Sequence, residues 1–527
     1  MTKRFYITTP IYYPSAQLHL GHAYTTVIAD VLARYKKTQS YEVFFLTGSD
    51  EHGQKIAKKA NENKQTPQKF VDNIVVSFKN LWAKLNIDYD KFIRTTDKNH
   101  ITTVQKIFSK LLKQDDIYLG KYEGLYCVSC EEFLTDNQIN KTNNTCKTCQ
   151  GSVNSLSEPS YFLKLGKYTK QLLDYYNKHP LFLWPLNRKT EMINNFITPG
   201  LEELSITRTS FDWGIPVLED PKYVVYVWID ALSNYLTALG YLQENDINFK
   251  KFWLDGNCEI VNLVGKEISR FHMIYWPILL MALKLRQPNR ILAHGWIINE
   301  EGKMSKSKGN VIDPLILVNR YGADSLRFFL MKEITIGHDA KYSHQLFLNC
   351  YNSYLVNDLG NLLSRTVTMI SKYCDGKIPK INLNKLQPEA TAIIKNIKST
   401  IIDFNIEMGE YQINEAINIV FRLITAGNKL IDLSKPWDLY NNNKIMELHN
   451  VLNLLANILI TSSALLSPIL VSSSLKIHQQ LGVFKITTPV VTINLNEIFN
   501  RTINKKELLF PRLNIEDELI FLNNAFK

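Results

Sequence analysis

Apolar positions follow two rhythms along this chain. Up to about residue 345, short apolar runs alternate with helical stretches; beyond it, long helical periodicities dominate and strand signals are few. "RFYITTP" (4–10) predicts a short strand, and "AYTTVIADVLARYKKTQ" (23–39) a helix with Ala23, Val27, Ala29 and Val31 at helical spacings. "EVFFLTGSDEHG" (42–53) reads as a buried strand over 43–46 that ends in a glycine-containing turn. Strand, helix, strand in that order implies a right-handed βαβ unit and a parallel sheet. The pattern resumes downstream. "YVVYVWID" (223–230) and "CEIVNLVG" (258–265) read as buried strands, "SRFHMIYWPILLMALKL" (269–285) as a helix and "RILAHGW" (290–296) as a strand. An insertion over 118–212 therefore splits the sheet.

In the later part, "NLLSRTVTMI", "EAINIVFRLITAGNKLIDL" and "IMELHNVLNLLANILI" suit a helical bundle. The uncharged segment 451–471 is the most membrane-like, but Asn453, Asn457, Ser462, Ser463 and Pro468 interrupt it. Leu452, Leu455, Leu459 and Leu466 recur at helical spacing, so a buried bundle helix is expected rather than a span. No internal repeat is visible, and "YNNNK" (440–444) reads as a solvated loop.

Length changes the picture first: 527 residues exceed one ordinary core, so two or three domains are expected. With 45% hydrophobic and 21% charged residues the composition is that of a soluble globular protein, which excludes general disorder. The net charge of +11 favours a polyanionic partner, because phosphate contacts with Lys and Arg release counterions. "MTKRFYITTP" has no apolar run after its basic residues, so a cytoplasmic location with no membrane partner is expected.

Of seven cysteines, Cys258, Cys350 and Cys374 are scattered while Cys127, Cys130, Cys146 and Cys149 form C-x2-C-x15-C-x2-C. That spacing suits tetrahedral thiolate zinc, and two such knuckles argue against a redox pair. Four protein thiolates leave no open position, so one structural Zn2+ is expected, whose removal by a chelator would loosen the insert.

"HLGH" (19–22) lies where the first strand hands over to the first helix. A helix N-terminus attracts phosphate through its N–H groups and positive end. Gly21 has no Cβ to hold a nucleotide off, and His19 and His22 add imidazole donors on one face. Two surface histidines at a turn are the alternative. "NEEGKMSKSKGN" (299–310) carries Lys303, Lys306 and Lys308 between Gly302 and Gly309 without a Walker-type motif. A solvated basic turn is the bland reading. Beside a histidine-bearing helix start on the same kind of sheet, a lysine loop closing over a triphosphate is the better one.

"HLGH" and "KMSKS" in this order resemble the two signatures of class I aminoacyl-tRNA synthetases. "TTPIYYPSAQLHLGHAYTT", "FFLTGSDEHGQKI", "YVWIDALSNY", "GKEISRFHMIYWP" and "AHGWIINEEGKMSKSKGNVIDP" are similar to the methionyl-tRNA synthetase family, over nearly the whole chain to "LFPRLN". The resemblance implies an α/β fold: a Rossmann-like parallel-sheet catalytic domain split by a zinc-binding connective insertion, then a C-terminal α-helical bundle. The expected divisions are 1–117 for the first catalytic half with HLGH, 118–212 for the insertion with its zinc knuckle, and 213–300 for the second half. The KMSKS loop and stem would take 301–345 and a helical anticodon-binding domain 346–527.

The implied reaction activates L-methionine with ATP and Mg2+ to methionyl-adenylate and pyrophosphate, then esterifies the terminal ribose of tRNA(Met), initiator and elongator. The substrate carboxylate is already a nucleophile, so no protein base is needed. Charge on the departing pyrophosphate is what needs stabilising. By resemblance Lys306 is the principal cation, with Lys303 assisting, while His19, Gly21 and His22 contact ATP. Trp228, Ala231, Leu232 and Tyr235, spaced 0, 3, 4 and 7, share one face if helical. A core stripe is the plain reading of that spacing. The resemblance instead places them with Ile11, Tyr13, Ile268, Phe271 and His272 around the methionine side chain. Asp50 would bind the α-ammonium group, and Tyr13 and His272 would give the thioether polar contacts. Asn361, Arg365 and Trp437 match anticodon-reading positions, the first two by base-edge hydrogen bonds and Trp437 by stacking.

The rivals within the class are synthetases for leucine, isoleucine or valine, which generally carry a much larger editing insertion, and for cysteine, whose zinc ligates the substrate. A non-catalytic zinc-stabilised RNA-binding protein is the rival from another class. The family often adds a C-terminal tRNA-binding module that dimerises; the chain stops at Lys527 without one, so a monomer is expected.

Overall fold

The first predicted strand extends over Arg4–Tyr12 (β1) and is buried along most of its length. It pairs in parallel on one side with Glu42–Ser49 (β2), which in turn pairs with Lys91–Arg94 (β3). A pair of long antiparallel strands, Ile117–Cys127 (β4) and Val153–Leu163 (β5), follows. Leu183–Trp184 (β6), Cys258–Gly265 (β7) and Arg290–His294 (β8) complete a six-stranded parallel sheet ordered β3-β2-β1-β7-β8-β6. The computed structural model describes residues 2–127, 132–134, 138–140, 143–147, 149–299, 302–303, 311–484, 494–504 and 508–526. They make two units: Met1–Leu18, Tyr41–Leu81 and Asp88–His294 with the sheet, and His19–Ser40, Trp82–Ile87 and Gly295–Lys527.

In the first unit, Val104, Ile107, Phe108 and Leu111 of helix Lys98–Lys113 join Trp276, Ile278, Leu279 and Leu280 of helix Trp276–Ala282 in one core with Tyr6 and Ile260 of the sheet. Pro10 has no N–H for the ladder, and the β1–β2 register shifts between Thr8 and Ile11 before pairing resumes at Ile11 and Gly48. Gly48 has to be glycine: a Cβ there would lie 2.1 Å from the Ile93 carbonyl oxygen. The polar groups inside this sheet are paired. Asn262 donates to Thr8 Oγ1 at 2.9 Å and accepts from Trp276 Nε1 at 3.1 Å.

Two features differ from the sequence reading. "YVVYVWID" is not a strand of the parallel sheet. Only Val224–Val225 is extended, between Thr207–Arg208 and Ile215–Pro216 in a small antiparallel sheet, and helix Val227–Thr237 begins two residues later. A short apolar run does not reveal which period it obeys. Within 118–212, β6 returns to the parallel sheet beside β8, so the span read as an insertion also supplies an edge strand. The segment 269–285 is helical, with a wide turn over Phe271–Tyr275 before Pro277. Proline leaves the Met273 carbonyl without its i+4 donor, and the buried Tyr176 hydroxyl donates to that oxygen.

In the second unit, helix Leu20–Thr38 buries Asp30 against Arg327, both inaccessible to solvent, at 2.7 Å. The Arg327 guanidinium also donates to the carbonyls of Ile469, Leu85 and Pro468, so the pair has the extra hydrogen bonds that a buried charge requires. Helices Pro388–Gly409, Ile413–Ser434 and Ile445–Leu466 pack together as a bundle. Ile445–Leu466 is long and apolar enough to cross a membrane, yet it is buried in the bundle. Its asparagines face neighbouring loops: Asn450, Asn453 and Asn457 donate to the carbonyls of Lys385, Pro379 and Leu495.

Candidate active site

A cavity of about 250 Å³ opens in the first unit beside the ends of β1 and β2. Nine of the ten residues expected to bind the amino acid line it: Ile11, Tyr13, Asp50, Trp228, Ala231, Leu232, Tyr235, Ile268 and His272. The register shift at Pro10 precedes Ile11 and Tyr13, and helix Val227–Thr237 turns its 0, 3, 4, 7 face into the cavity. Phe271 is not in the lining. Its ring stacks on Trp228 with centroids 3.3 Å apart and planes 12° apart, so it backs that wall. Pro10, Lys55, Val227 and Asn234 also line the cavity and escaped the sequence reading.

The polar end of the cavity is set by a directed chain of hydrogen bonds. His272 Nδ1 lies 3.0 Å from the Ile268 carbonyl oxygen, which can only accept, so Nδ1 carries the proton. Nε2 then accepts from the Tyr235 hydroxyl at 2.7 Å. Burial lowers the His272 pKa to about 4, and it outweighs the opposing pull of the Ile268 carbonyl and Glu267. The ring is therefore neutral at neutral pH. The sequence reading has His272 give a thioether a polar contact; the structure turns its two nitrogens to Ile268 and Tyr235. Both its nitrogens are engaged, and its contribution runs through the orientation of Tyr235. Burial also raises the Tyr235 pKa, so the phenol stays protonated.

Around Asp50, three consecutive polar residues are buried, each tied differently. Asp50 donates its backbone N–H to the Tyr12 carbonyl at 3.0 Å, which fixes the loop where it leaves β2. Glu51 accepts both Arg94 Nε at 2.6 Å and Arg94 NH2 at 2.9 Å, a bidentate pair. His52 Nδ1 lies 2.7 Å from one oxygen of Asp230, and His100 Nε2 2.7 Å from the other. Burial would push the Asp230 carboxyl up, but the two imidazoles hold it below the usual carboxylate range. Asp230 sits between Trp228 and Ala231, so this network joins the loop that bears Asp50 to the helix that bears the cavity wall. Sequence reasoning missed it, although "DEHG" and "WID" were on the page.

In the second unit, His19 caps helix Leu20–Thr38, its Nδ1 accepting from Gly21 N–H at 3.1 Å while His22 Nδ1 accepts from His19 N–H at 3.0 Å. This is a capping box built from imidazoles. With both Nδ1 atoms accepting, each neutral ring carries its proton on Nε2, the donor that a phosphate oxygen would take. Gly21 has a further reason to be glycine: a Cβ would lie 2.9 Å from His19 Cε1 and push that ring away. Leu20 N–H donates to the Ile312 carbonyl at 3.0 Å, so the chain following the lysine stretch returns to this helix start. Gly302–Lys303 forms a strand with Ile297–Asn299. Lys306 and Lys308 lie outside the described residues, as does the side chain of Lys303.

The cysteine segment joins the ends of β4 and β5. Cys127, Cys146 and Cys149 bring their sulfurs within 4.8 Å of one another, and Cys130 lies outside the described residues. Cys127 Sγ is 3.3 Å from Cys149 Sγ, far from the disulfide length of about 2.05 Å and near the roughly 3.8 Å between thiolates on one tetrahedral zinc. Gly151 N–H points at Cys149 Sγ at 3.3 Å. The donor set fits Zn2+. The local core of Cys127, Leu134, Ile139, Cys146 and Val153 is too small to hold such a knuckle unaided.

On the helical bundle, Asn361 and Arg365 meet neighbours four residues apart on helix Ile413–Ser434. Asn361 donates to Asn428 Oδ1 at 3.3 Å, and Arg365 pairs with Asp432 at 2.7 Å. Trp437, 41% exposed, sits in the short helix Pro436–Asn441. Tyr440, one turn on, packs its ring against Tyr373 with centroids 4.7 Å apart and planes tilted by 33°, an aromatic pair that the sequence reading did not single out.

The family described as tRNA synthetases class I (M) matches residues 5–155 and 140–367. A methionine–tRNA ligase of Caldanaerobacter subterraneus subsp. tengcongensis is 48% identical over 525 residues, covering 99% of this chain and 81% of that protein. The methionine–tRNA ligase of Clostridium perfringens is 48% identical over 523 residues, 98% of this chain and 79% of its own. Among solved structures, the methionyl-tRNA synthetase of Mycobacterium tuberculosis in complex with methionyl-adenylate superposes with a TM-score of 0.92 at 33% identity, covering 97% of this chain and all of that one.

Proposed function

This chain belongs to the methionine–tRNA ligase family of class I tRNA synthetases, and from that premise we propose that it activates L-methionine with ATP and Mg2+ and transfers the methionyl group to the 3′-terminal adenosine of tRNA(Met). The proposal covers initiator and elongator tRNA, and hence translation initiation and elongation. The observation that carries it is the cavity: apolar walls from Ile11, Trp228, Leu232 and Ile268, one buried carboxylate, and a phenol whose proton is committed to a neutral histidine.

An unbranched thioether fills such a slot, and Tyr235 keeps its hydroxyl proton turned toward His272. A branched aliphatic side chain would lose shape fit, by roughly 1–3 kcal/mol per methylene. Asp50 holds the α-ammonium group, which leaves the carboxylate to attack the α-phosphorus as pyrophosphate departs. His19 and His22, with Nε2 protons presented by the imidazole capping box, and Lys303 and Lys306 stabilise the phosphate charge. Cys127, Cys130, Cys146 and Cys149 would hold a structural Zn2+, which supplies cross-linking rather than catalysis. Residues 346–527 carry the anticodon contacts through Asn361, Arg365 and Trp437. The enzyme is proposed to act in the cytoplasm as a monomer.

The test is ATP–pyrophosphate exchange with methionine, leucine, isoleucine, valine and cysteine supplied separately, with Lys306→Ala as control. Exchange with methionine alone, lost in the control, is the expected result. Preference for another amino acid, or none at all, would overturn the reading.

A further inference from the structure

The first unit carries a groove of about 990 Å³ that the proposed reaction does not use. The amino-acid cavity lies at the carboxyl ends of β1 and β2, whereas the groove lies where the chain leaves helix Trp276–Ala282 and enters β8. Because the strands are parallel, the two open at opposite ends of the sheet. One wall of the groove is helix Thr169–Lys178 and the other is the connection 284–289. Lys167, Lys170, Lys178, Lys284 and Arg286 line it, against a single carboxylate, that of Asp174.

Surface lysines are ordinarily a solvated face, and three of these have a local reason. Lys178 and Lys284 sit at helix C-termini, where a cation suits the dipole, and Lys167 pairs with Asp116. Lys170 and Arg286 have no such account. Lys170 stands in the first turn of its helix, against the dipole, and makes no ion pair among the described residues. Arg286 is the fixed cation. It is half-buried, and it donates to the carbonyls of Asp255 and Cys258 at 2.8 and 3.2 Å and to Asn289 Oδ1 at 3.0 Å, all neutral acceptors. The Asp255 carboxylate is taken by Arg4 and the Asn257 N–H. Two neutral donors stand beside the guanidinium. Asn289 Oδ1 also accepts from Ile260 N–H at 2.8 Å, which fixes the amide with Nδ2 at its other end. The Tyr175 ring is held by Phe182 and His179, with centroids 4.9 and 4.2 Å away. Burial raises the Tyr175 pKa against the opposing pull of Arg286, so the phenol keeps its proton. Neither donor has a hydrogen-bond partner among the described residues, and the Tyr175 hydroxyl is accessible.

Cations on both walls, with fixed donors between them, describe a site for a multivalent anion, and a concave surface lined by one sign of charge focuses its field. We propose that this groove binds a chain of two or more phosphate groups: Arg286, Asn289 Nδ2 and the Tyr175 hydroxyl hold one phosphate, and Lys170, Lys178 and Lys284 meet its neighbours. A single small anion would leave most of the lysines unmatched, because Lys170 and Lys178 lie about 12 Å apart along their helix. The rings of Tyr175 and His179 pack on each other instead of standing as platforms for bases, which favours a free oligophosphate over a nucleic-acid strand.

Lysine footprinting reads the groove directly. The protein is treated with limiting acetic anhydride, with and without inorganic tripolyphosphate, and the acetylated lysines are located by mass spectrometry. At about ten times its Kd, tripolyphosphate is expected to slow acetylation of Lys170, Lys178 and Lys284 by up to about tenfold. The exposed Lys395 and Lys398 of the helical bundle should not change, and sodium sulfate at matched ionic strength should protect none of them. Calorimetry with tripolyphosphate then uses the Lys306→Ala background, which removes the principal cation proposed for pyrophosphate. There the exposed pair Lys170→Gln and Lys284→Gln is expected to weaken binding about tenfold or more, while the same pair in the otherwise wild-type chain keeps its thermal midpoint and its ATP–pyrophosphate exchange. No protection by tripolyphosphate, equal protection by sulfate, or unchanged affinity in the double variant would each overturn the proposal. Protection by a short oligouridylate and not by tripolyphosphate would make the groove an RNA surface and overturn it as well.

Discussion

Under the proposed function, the cavity and the Trp437 face of the helical bundle would recognise their ligands by opposite means. In the cavity the polar atoms are buried and their directions are settled in advance, as in the chain from Ile268 through His272 to Tyr235. On the bundle, Trp437 is exposed, and Asn361 and Arg365 make their contacts with Asn428 and Asp432 on the protein's own surface. A small apolar ligand offers few atoms, so discrimination depends on a dry, preorganised wall where an unmatched polar group is expensive. An RNA loop offers stacking faces and many donors, so a surface that exchanges its contacts suffices.

The largest test of that contrast is Asp50→Ala. Removing a buried carboxylate that pairs with the substrate ammonium is worth about 3–5 kcal/mol. Exchange with methionine should fall at least a hundredfold in kcat/KM, by roughly that energy, while tRNA affinity holds; a parallel loss of tRNA binding would erase the distinction between the regions. Acid comes next. His272 titrates near 6.5 when unfolded and at about 4 when folded, so below 6.5 the unfolded chain binds a proton that the folded one does not. Its contribution is complete above 6.5 and is lost as the pH falls toward 4, by about 3 kcal/mol. Urea midpoints of the wild type and His272→Gln should converge or cross over that window, and parallel curves would remove the buried neutral ring from the account.

On the other face, Trp437→Ala should lower tRNA charging by about tenfold to a hundredfold, in line with one lost base stack, and spare pyrophosphate exchange. Equal losses in the two assays would refute the stacking role. The smallest effect belongs to Asp432→Asn. Its bridge to Arg365 is solvent-exposed, so stability should change by less than about 1 kcal/mol, as read from the thermal midpoint. A larger drop would make this face a structural element like the cavity wall.

Much of the cavity wall is legible in the sequence. The 0, 3, 4, 7 spacing of Trp228, Ala231, Leu232 and Tyr235 stated which residues share a helix face, and that face lines the cavity. The same stretch misled over its first half, because "YVVYVW" suits a strand as well as a helix start. The register shift at Pro10 was not among those readings. By contrast, neither Lys55 nor Asn234 belonged to a pattern; a lysine beside other lysines and an asparagine inside a helix look like solvated surface until burial is known.

The amino-acid sequence by itself determined the periodicities, the first βαβ unit, the cysteine spacing and the signature motifs, because each depends on residues near one another in the chain. Tertiary structure alone decided the protonation and pairing of His272, the bridge from His52 and His100 to Asp230, and the return of β6 to the sheet. The reason is physical. A side chain's charge state and hydrogen-bond direction are set by what excludes water from it and by which partner the fold brings within 3 Å or so, and those partners lie tens to hundreds of residues away.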